Sequence, residues 1–589
     1  MHDPVLTQAR GHMEARRPEQ AVQILRKALE KTPGELGYLQ AICEILSGLG
    51  REDQAVYLLE RAIAASPREA WLYRKCADLH TRKGRHAEAE RQYRRAAELS
   101  PPDMGLFASV ANAMLLRGDA DGARSFVRAV YEAHPGDPRA LQLYAGHLEM
   151  LGDLEGAVAL LSGVLERSPN DTTALRMLMI PLMRVRGVEP ERIFELHRRL
   201  GSLMTEQVRP LAGSHTNSPD PERRLRIGYC SQDFRNRSVG HFIEPILEHH
   251  DRERFEVVLY HDMMTEDELT ERLKKSAALY VQTQRLSQAE FVAMVRRQGI
   301  DILVDLSGHS GSRHTLSMAA KPAPVQFTYL GYPNTTGIPA IDYRIVDAIT
   351  DPPGAERLAT EKLVRIEGGF LCYRLPGHAG PVAPAPCEKR GSITFGSFNT
   401  ITKVGKRVLE VWARILGEVP DSRLLLKARG LSSQAARERL IANLQGAGVS
   451  RSRIELREET PDPGAHLAMY SEIDVALDTW PYNGTTTTVE ALAMGVAVVS
   501  IAGETHASRV GMSLLSAVGL SDLCAADEDQ YVRVAVDLAR DAPRRKQLRE
   551  SLRPMLLASP LCDEAGFAGR LESVYRDAWR AWCAGRRAG

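Results

Sequence analysis

Small residues recur along the first part of the chain at a fixed interval. Alanine stands at Ala21, Ala55, Ala89, Ala123 and Ala157, glycine at Gly50, Gly84, Gly118 and Gly152, and proline at Pro33, Pro67, Pro101, Pro135 and Pro169; each series steps by 34 residues. That period predicts two helices per unit, with Ala and Gly where the helices cross closely and Pro closing the second one, stacked into a superhelix. After a helical tail to about Val208 the pattern changes. RIGYCS, FEVVLYH, DILVDLSG, PVQFTYLG and DYRIVDAI are short runs rich in strand formers, several followed by amphipathic helical stretches, as a parallel α/β sheet requires. A second such series is SITFGSFN, RLLLKA, RIELRE, DVALDT and AVVSIA.

Two stretches with linker composition, RPLAGSHTNSPDPERR and PGHAGPVAPAPCEKRG, punctuate this order. The predicted organisation is a helical array over residues 1–208, a linker over 209–223, one α/β lobe over 224–380, a linker over 381–390, a second lobe over 391–560 and a helical tail over 561–589. Two such lobes create a cleft facing the C-terminal ends of both sheets, where open α/β folds bind ligands; the arrangement suits an enzyme that closes on a nucleotide. The chain has 589 residues, too many for one ordinary core.

Charge narrows the range of partners. Lys and Arg number 76 against 75 for Asp and Glu, so neither nucleic acid nor an anionic membrane surface is an expected partner. MHDPVLTQARGHMEARRPEQ lacks the apolar core of a signal peptide, and no run of about 18 apolar residues occurs; a cytoplasmic location is expected. The eight cysteines are scattered without a C-x-x-C pair, which predicts reduced packing residues rather than a zinc site or disulfide framework.

Three strand-to-helix junctions carry candidate chemistry. In IGYCSQDFRNRSVGHFIEPILEHH, His241 begins an amphipathic helix; a helix N-terminus disfavours imidazolium, leaving a neutral ring able to accept a proton. A surface or capping histidine is the plainer reading of that stretch alone. In ITFGSFNTITKVGKRVLEVWARIL, Lys403 lies between strand and helix, where its charge can stabilise a departing diphosphate; Lys406 reads as an ordinary solvated lysine. In DTWPYNGTTTTVEALAMGVAVVS, Thr485 to Thr488 open a helix although β-branched residues are poor helix formers. One threonine would serve as a cap; four beside unpaired backbone N–H groups make a cradle for phosphate. Glu490, one turn in, suits a ribose diol or simply complements the helix N-terminus. Asp527 and Asp529 spell D-x-D but precede an amphipathic helix and read as a cap, so no metal site is expected.

The 34-residue unit resembles the tetratricopeptide repeat (TPR). GHSGSRHTLSMAAKPAPVQFTYLGYPNTTGIPAIDYRIVDAITDPP, FLCYRLPGHAGPVAPAP, TFGSFNTITKVGKRVLEVWARIL and DVALDTWPYNGTTTTVEALAMG resemble the catalytic region of the O-GlcNAc transferase/SPINDLY family, the SPINDLY branch more closely, from about Arg224 to Trp582. The resemblance implies an α plus α/β protein: a TPR superhelix followed by a GT-B glycosyltransferase region of two Rossmann-like domains, the first on the acceptor side and the second binding the nucleotide-sugar. It implies inverting, metal-independent transfer of a sugar from a nucleotide diphosphate to Ser or Thr of proteins, with no cofactor besides that donor. His241 matches the proposed base or acceptor-orienting histidine and Lys403 the lysine on the donor diphosphate. Thr485, Thr486 and Thr487 match a His-Thr-Thr run on the β-phosphate, Glu490 an acid on the ribose, His466 a histidine near the nucleotide, and Leu330 and Gly331 backbone contacts to the sugar; Thr400 falls among the donor-binding positions.

Departures bear on the donor. Pro463 replaces a nucleotide-contacting lysine, and Thr485 replaces His, both as in SPINDLY-type sequences, whose plant member uses GDP-fucose. UDP-GlcNAc is the expected donor and GDP-fucose the alternative. The groove of O-GlcNAc transferase arrays carries asparagines that hold a peptide; the matching column here is Glu44, Asp78, Asn112 and Gly146, a polar, partly acidic groove. Protein acceptors are expected there, and a homodimer through the repeats is compatible with such an array. Rival functions are an inactive TPR scaffold and a transferase acting on flagellin or a small glycan with another donor.

Overall fold

The computed structural model describes residues 3–588 apart from 16, 33, 34, 429, 432 and 461; Pro33 thus lies outside the described residues. Helices Pro18–Lys31, Leu36–Gly48, Glu52–Ala65, Ala70–Arg82, His86–Leu99, Met104–Leu116 and Ala120–Ala133 follow one another with short turns. Ala21, Ala55, Ala89, Ala123 and Ala157 are all completely buried, so each repeat brings a methyl group to a helix crossing where a larger side chain would overpack by about 1–3 kcal/mol. The periodic glycines do a different job from the one expected. Gly50, Gly84, Gly118 and Gly152 have φ of 68°, 70°, 91° and 72°, and an added Cβ at the first three would touch nothing. They terminate the first helix of each pair in left-handed backbone, and the periodic small residues buried between helices are the alanines. The described periodic prolines follow two residues after the second helix, as at Pro67 after Glu52–Ala65, where they cannot continue it.

The chain divides into two compact units between His147 and Leu148, residues 433–436 going with the first. The helices Leu154–Arg167, Thr172–Arg184 and Pro190–Val208, read from sequence as the end of the array, therefore belong to the unit that holds the α/β region. The cause is packing that no 34-residue period reports. His197, completely buried, donates from Nδ1 to the Ile193 carbonyl (2.7 Å) and accepts at Nε2 from the Tyr332 hydroxyl (2.6 Å), and burial pushes its pKa down to about 3.

The first sheet contains β1 (Leu225–Ser231), β2 (Phe255–His261), β3 (Leu279–Gln282), β4 (Ile302–Asp305), β5 (Val325–Thr328), β6 (Tyr343–Val346) and β7 (Lys362–Arg365), all parallel, in the order β3-β2-β1-β4-β5-β6-β7. The second contains β8 (Thr394–Ser397), β9 (Arg423–Lys427), β10 (Ile454–Arg457), β11 (Val475–Leu477), β12 (Ala497–Ile501) and β13 (Cys524–Ala525), in the order β10-β9-β8-β11-β12-β13, again parallel. Strand order reverses between β1 and β4 and between β8 and β11, which creates a crevice at each switch point. The interior strands were legible as apolar runs; β3 and β7 at the sheet edges, and two-residue β13, were not. β3 is exposed or half-buried along its length, so no long apolar run marks it.

The terminal helix Glu564–Ala588 returns to the first sheet. Tyr575 meets Tyr229 of β1 hydroxyl to hydroxyl at 3.2 Å, Glu572 pairs with His250 at 2.9 Å, and Trp579 donates to the Asp220 carbonyl at 2.9 Å. Asp527 caps the helix Glu528–Arg540 by accepting from the Gln530 amide (2.7 Å), and Asp529 pairs with Arg414 (2.6 Å), so D-x-D is a helix start. None of the eight cysteines is bonded to another. Among the described residues no helix is long and apolar enough to cross a membrane.

Candidate active site

The three junctions picked out in the sequence meet at the two switch points. The loop after β1 leads into the helix Ser238–His249, which carries His241 in its first turn. The loop after β8 ends in a turn, Ile401–Lys403, and the loop after β11 runs from Asp478 into the helix Thr486–Ala493. Two cavities lie along this line. One, about 240 Å³, is lined by Leu330, Gly331, Thr400, Lys403, Tyr482 and Thr485 to Thr487 among others. The other, about 570 Å³, is lined by His241, His378, Pro463, His466 and Glu490 among others. Ser238, Phe242 and Thr486 line both, so the cavities adjoin. Every expected donor-binding residue borders one of them, and His241 borders the larger.

In the smaller cavity the loops hold each other in place. Asp478 is buried and accepts from the Thr479 and Gly484 amides (2.8 and 2.7 Å) and the Ser500 hydroxyl (2.7 Å), fixing the turn that precedes the threonines. Asn399, after β8, donates to Asp478 (3.4 Å) and accepts from the Thr487 hydroxyl (3.1 Å). Thr488 is buried and donates back to the Gly484 carbonyl (3.2 Å), whereas Thr485 at the cap position makes no side-chain capping bond. The hydroxyls thus divide: Thr488 serves the fold, and Thr485 and Thr486 face the cavity beside the helix N-terminus, an arrangement suited to phosphate.

Lys403 donates to the Asn483 carbonyl (2.7 Å), and its ammonium lies 4.3 Å from the centre of the Tyr482 ring. Burial lowers its pKa to about 7, Arg184 adding to the shift and Asp478 opposing it. Arg184 reaches the same ring from the helix Thr172–Arg184, its guanidinium carbon 5.5 Å from the centroid. A residue upstream of the expected catalytic boundary therefore acts on the site. Opposite stand Leu330, with φ of 70°, and Gly331, where a Cβ would lie 1.9 Å from the Leu306 carbonyl oxygen; only glycine allows that approach, and it presents backbone to the cavity.

In the larger cavity His241 Nε2 meets the Asn236 side-chain oxygen at 2.7 Å. Its pKa lies below the ordinary histidine value because of burial, with Glu244 and Glu490 pulling the other way; the neutral ring expected from the helix start is reached mainly by desolvation. His466 Nε2 and Glu490 Oε2 are 2.9 Å apart, and Tyr470 donates to the same oxygen at 3.2 Å. Lys427, at the end of β9, is bonded to the other His466 nitrogen. Asp478, Asn399, Tyr482, Arg184 and Lys427 went unmarked in the sequence, although Lys427 sits at the carboxyl end of a strand, where ligand-binding residues of open sheets gather.

The model of glycosyl transferase family 41 matches residues 196–373 and 388–571. The chain belongs to glycosyl transferase family 41. The match begins inside the helix Pro190–Val208, in keeping with that helix's packing on Tyr332. A tetratricopeptide repeat model matches residues 114–179, and one described as a bacterial transcriptional activator domain matches residues 10–111. Over 399 residues, 67% of the chain, the sequence is 43% identical to the probable UDP-N-acetylglucosamine–peptide N-acetylglucosaminyltransferase SPINDLY of Arabidopsis thaliana. It is 29% identical over 381 residues, 62% of the chain, to the same plant's SEC, likewise named a probable UDP-N-acetylglucosamine–peptide N-acetylglucosaminyltransferase. These matches take in 44% and 38% of the relatives, so the chain spans less than half of either. Among solved structures, a mutant of Thermobaculum terrenum O-GlcNAc transferase superposes with a TM-score of 0.73 at 33% identity, covering 93% of this chain and 98% of that one. This family 41 chain thus has the expected order, a TPR region followed by two Rossmann-like lobes.

Proposed function

We propose that the protein is an inverting protein O-glycosyltransferase that moves a sugar from UDP-GlcNAc to Ser or Thr side chains of protein acceptors held by the repeats. The observation that carries this reading is the pair of adjoining cavities at the two switch points, one lined by Lys403 and the threonine-rich helix start, the other by His466 and Glu490. The first suits a diphosphate, the second a nucleoside. The names of the relatives support transfer of N-acetylglucosamine to peptide. In the proposed reaction a Ser or Thr hydroxyl attacks the anomeric carbon in line with the departing nucleotide diphosphate. The bond from that carbon to the diphosphate oxygen breaks with inversion while the hydroxyl proton passes to a base. Lys403 and the helix N-terminus stabilise the charge that develops on the leaving diphosphate; neutral His241 is the proposed group nearest the incoming hydroxyl.

Thermal denaturation with UDP, GDP and CMP tests the donor class, because a ligand that binds only the folded state raises the melting temperature. Selective stabilisation by UDP is expected. Selective stabilisation by GDP would move the assignment to GDP-fucose, and by CMP to another class of donor. A labelled-donor assay in the presence of EDTA checks that transfer proceeds without a metal, since Lys403 and the helix start are the charge partners proposed for the diphosphate. An inactive scaffold would show neither stabilisation nor labelling.

A further inference from the structure

Lys427 is 2% exposed and ends β9, bonded to His466, which lines the larger cavity, without lining that cavity itself. A buried ammonium is retained only where something compensates its lost hydration. Two partners do so: Nδ1 of His466, to which it is hydrogen-bonded, and the face of Phe398, whose centroid is 4.9 Å from Nζ. An ammonium has donors and no acceptor. His466 Nδ1 must therefore be the accepting nitrogen, which leaves the ring proton on Nε2, aimed at Glu490 Oε2 2.9 Å away. Tyr470 closes the arrangement, donating to the same carboxylate oxygen (3.2 Å) and packing on Phe398 with ring centroids 4.6 Å apart. Lysine, histidine and glutamate form a directed chain whose last member lines the cavity beside Thr486.

We propose that Lys427 is a positioning residue for the nucleoside end of the donor: by donating to His466 Nδ1 it fixes the Nε2–H tautomer, which in turn holds the Glu490 carboxylate where a ribose diol can reach it. This deepens the donor-site reading above and rests on it. It also gives the second cation of the site a different origin. The position at which O-GlcNAc transferases carry a nucleotide-contacting lysine is Pro463 here, in the first turn of the helix Pro463–Ala468, and Lys427 supplies positive charge to the same cluster from the neighbouring strand, through His466 rather than by direct contact. The charged and titratable groups around it are Glu490, Glu459, His466 and Tyr470. Burial lowers the Lys427 pKa to about 8 while Glu490 and Glu459 support its charge, so the ammonium is the main form at neutral pH.

The relation predicts what happens on removal. In Lys427→Met the His466 Nδ1 loses its donor, so the ring proton is free to sit on either nitrogen and the bond from Nε2 to Glu490 is no longer enforced. The test is nitrogen-15 NMR of the histidine rings in the full-length protein, with His466 assigned by comparison with His466→Asn, alongside UDP and GDP binding by calorimetry and donor KM and kcat. Wild type should show His466 unprotonated at Nδ1 at pH 7. Lys427→Met should mix the two ring tautomers, weaken binding of the preferred nucleotide about tenfold, as loss of a charged hydrogen bond does, and raise donor KM far more than it changes kcat. Lys427→Arg, which keeps a cationic donor, should restore tautomer and affinity in large part. A wild-type His466 protonated at Nδ1 overturns the proposal without any variant, as does a folded Lys427→Met with wild-type tautomer and affinity. If wild type binds neither nucleotide, the donor-site reading itself is refuted and the proposal's ligand with it; the tautomer reports separately on the Lys427–His466 arm.

Discussion

Arg184 and Lys403 lean on one aromatic ring, that of Tyr482, with their cationic groups 5.5 and 4.3 Å from its centre. One comes from a helix of repeat character and the other from the turn after β8. Like charges brought together disfavour protonation of the weaker acid's partner, here the lysine, and Arg184 adds to burial in lowering the Lys403 pKa to about 7. Replacing Arg184 by Met should raise that pKa and move upward the pH at which nucleotide affinity begins to fall. Affinity measured by calorimetry from pH 6 to 9 checks this; an unshifted profile would mean that Arg184 serves packing alone.

Lys403 should bind a diphosphate with proton uptake. Its pKa in the empty site is about 7, and a bound dianion favours the charged form, so the bound pKa is higher. Between the two values binding draws a proton from solution, and affinity decreases as pH rises above about 7. Calorimetry at pH 8 in two buffers of different ionisation enthalpy should reveal the uptake, and Lys403→Arg, always charged, should abolish it. Lys403→Ala should lower transfer by roughly two to three orders of magnitude while leaving the fold intact.

The threonines separate by role. Thr486→Val keeps the β-branched shape at a position where no hydroxyl bond supports the fold, so nucleotide affinity should fall with the ligand-free melting temperature unchanged. Thr488→Val breaks the bond to the Gly484 carbonyl in a buried position and should cost about 1 kcal/mol of stability. Equal losses of stability in both variants would make the cradle a structural cap.

Truncation tests where the catalytic unit begins. A chain starting at residue 200 lacks both Arg184 and His197 and leaves the Tyr332 hydroxyl without its partner; it should lose nucleotide binding. A chain starting at residue 138 keeps the helices that pack with the α/β region and should bind nucleotide while labelling protein acceptors poorly. Nucleotide affinity at wild-type strength in the shorter chain would show those helices to be dispensable.

The groove column proposed for acceptors is narrower than its sequence spacing suggests. Glu44 and Asn112 are exposed, but Asp78 is half-buried and accepts from the Tyr93 hydroxyl at 2.7 Å. Reversal at Asp78 would disturb that bond, so Glu44→Lys is the cleaner probe. It should change which proteins are labelled and leave donor hydrolysis as in wild type.

The repeats, the apolar strands of both sheets and the candidates His241, Lys403, Thr485 to Thr487 and Glu490 could be marked in the chain because each rests on local physics, whereas Leu330, Gly331, Thr400 and His466 came only from resemblance to a family. A 34-residue period is a statement about one helix pair, interior parallel strands are continuous apolar runs, and a threonine run at a helix start is visible without its neighbours. The edge strands β3, β7 and β13 were missed, β3 because, partly in water, it has no apolar run to betray it; β10, also at an edge, was visible as RIELRE. Tertiary structure alone decided which helices belong to which unit. His197 and Arg184 carry no periodic signature, and their partners Tyr332 and Tyr482 lie 135 and 298 residues further along, so only packing could join them. It also divided the four threonines, tied Asp78 to Tyr93, and set Lys427 behind His466. Such pairings depend on desolvation and hydrogen-bond direction in a folded interior, and neither exists for a residue read in sequence order.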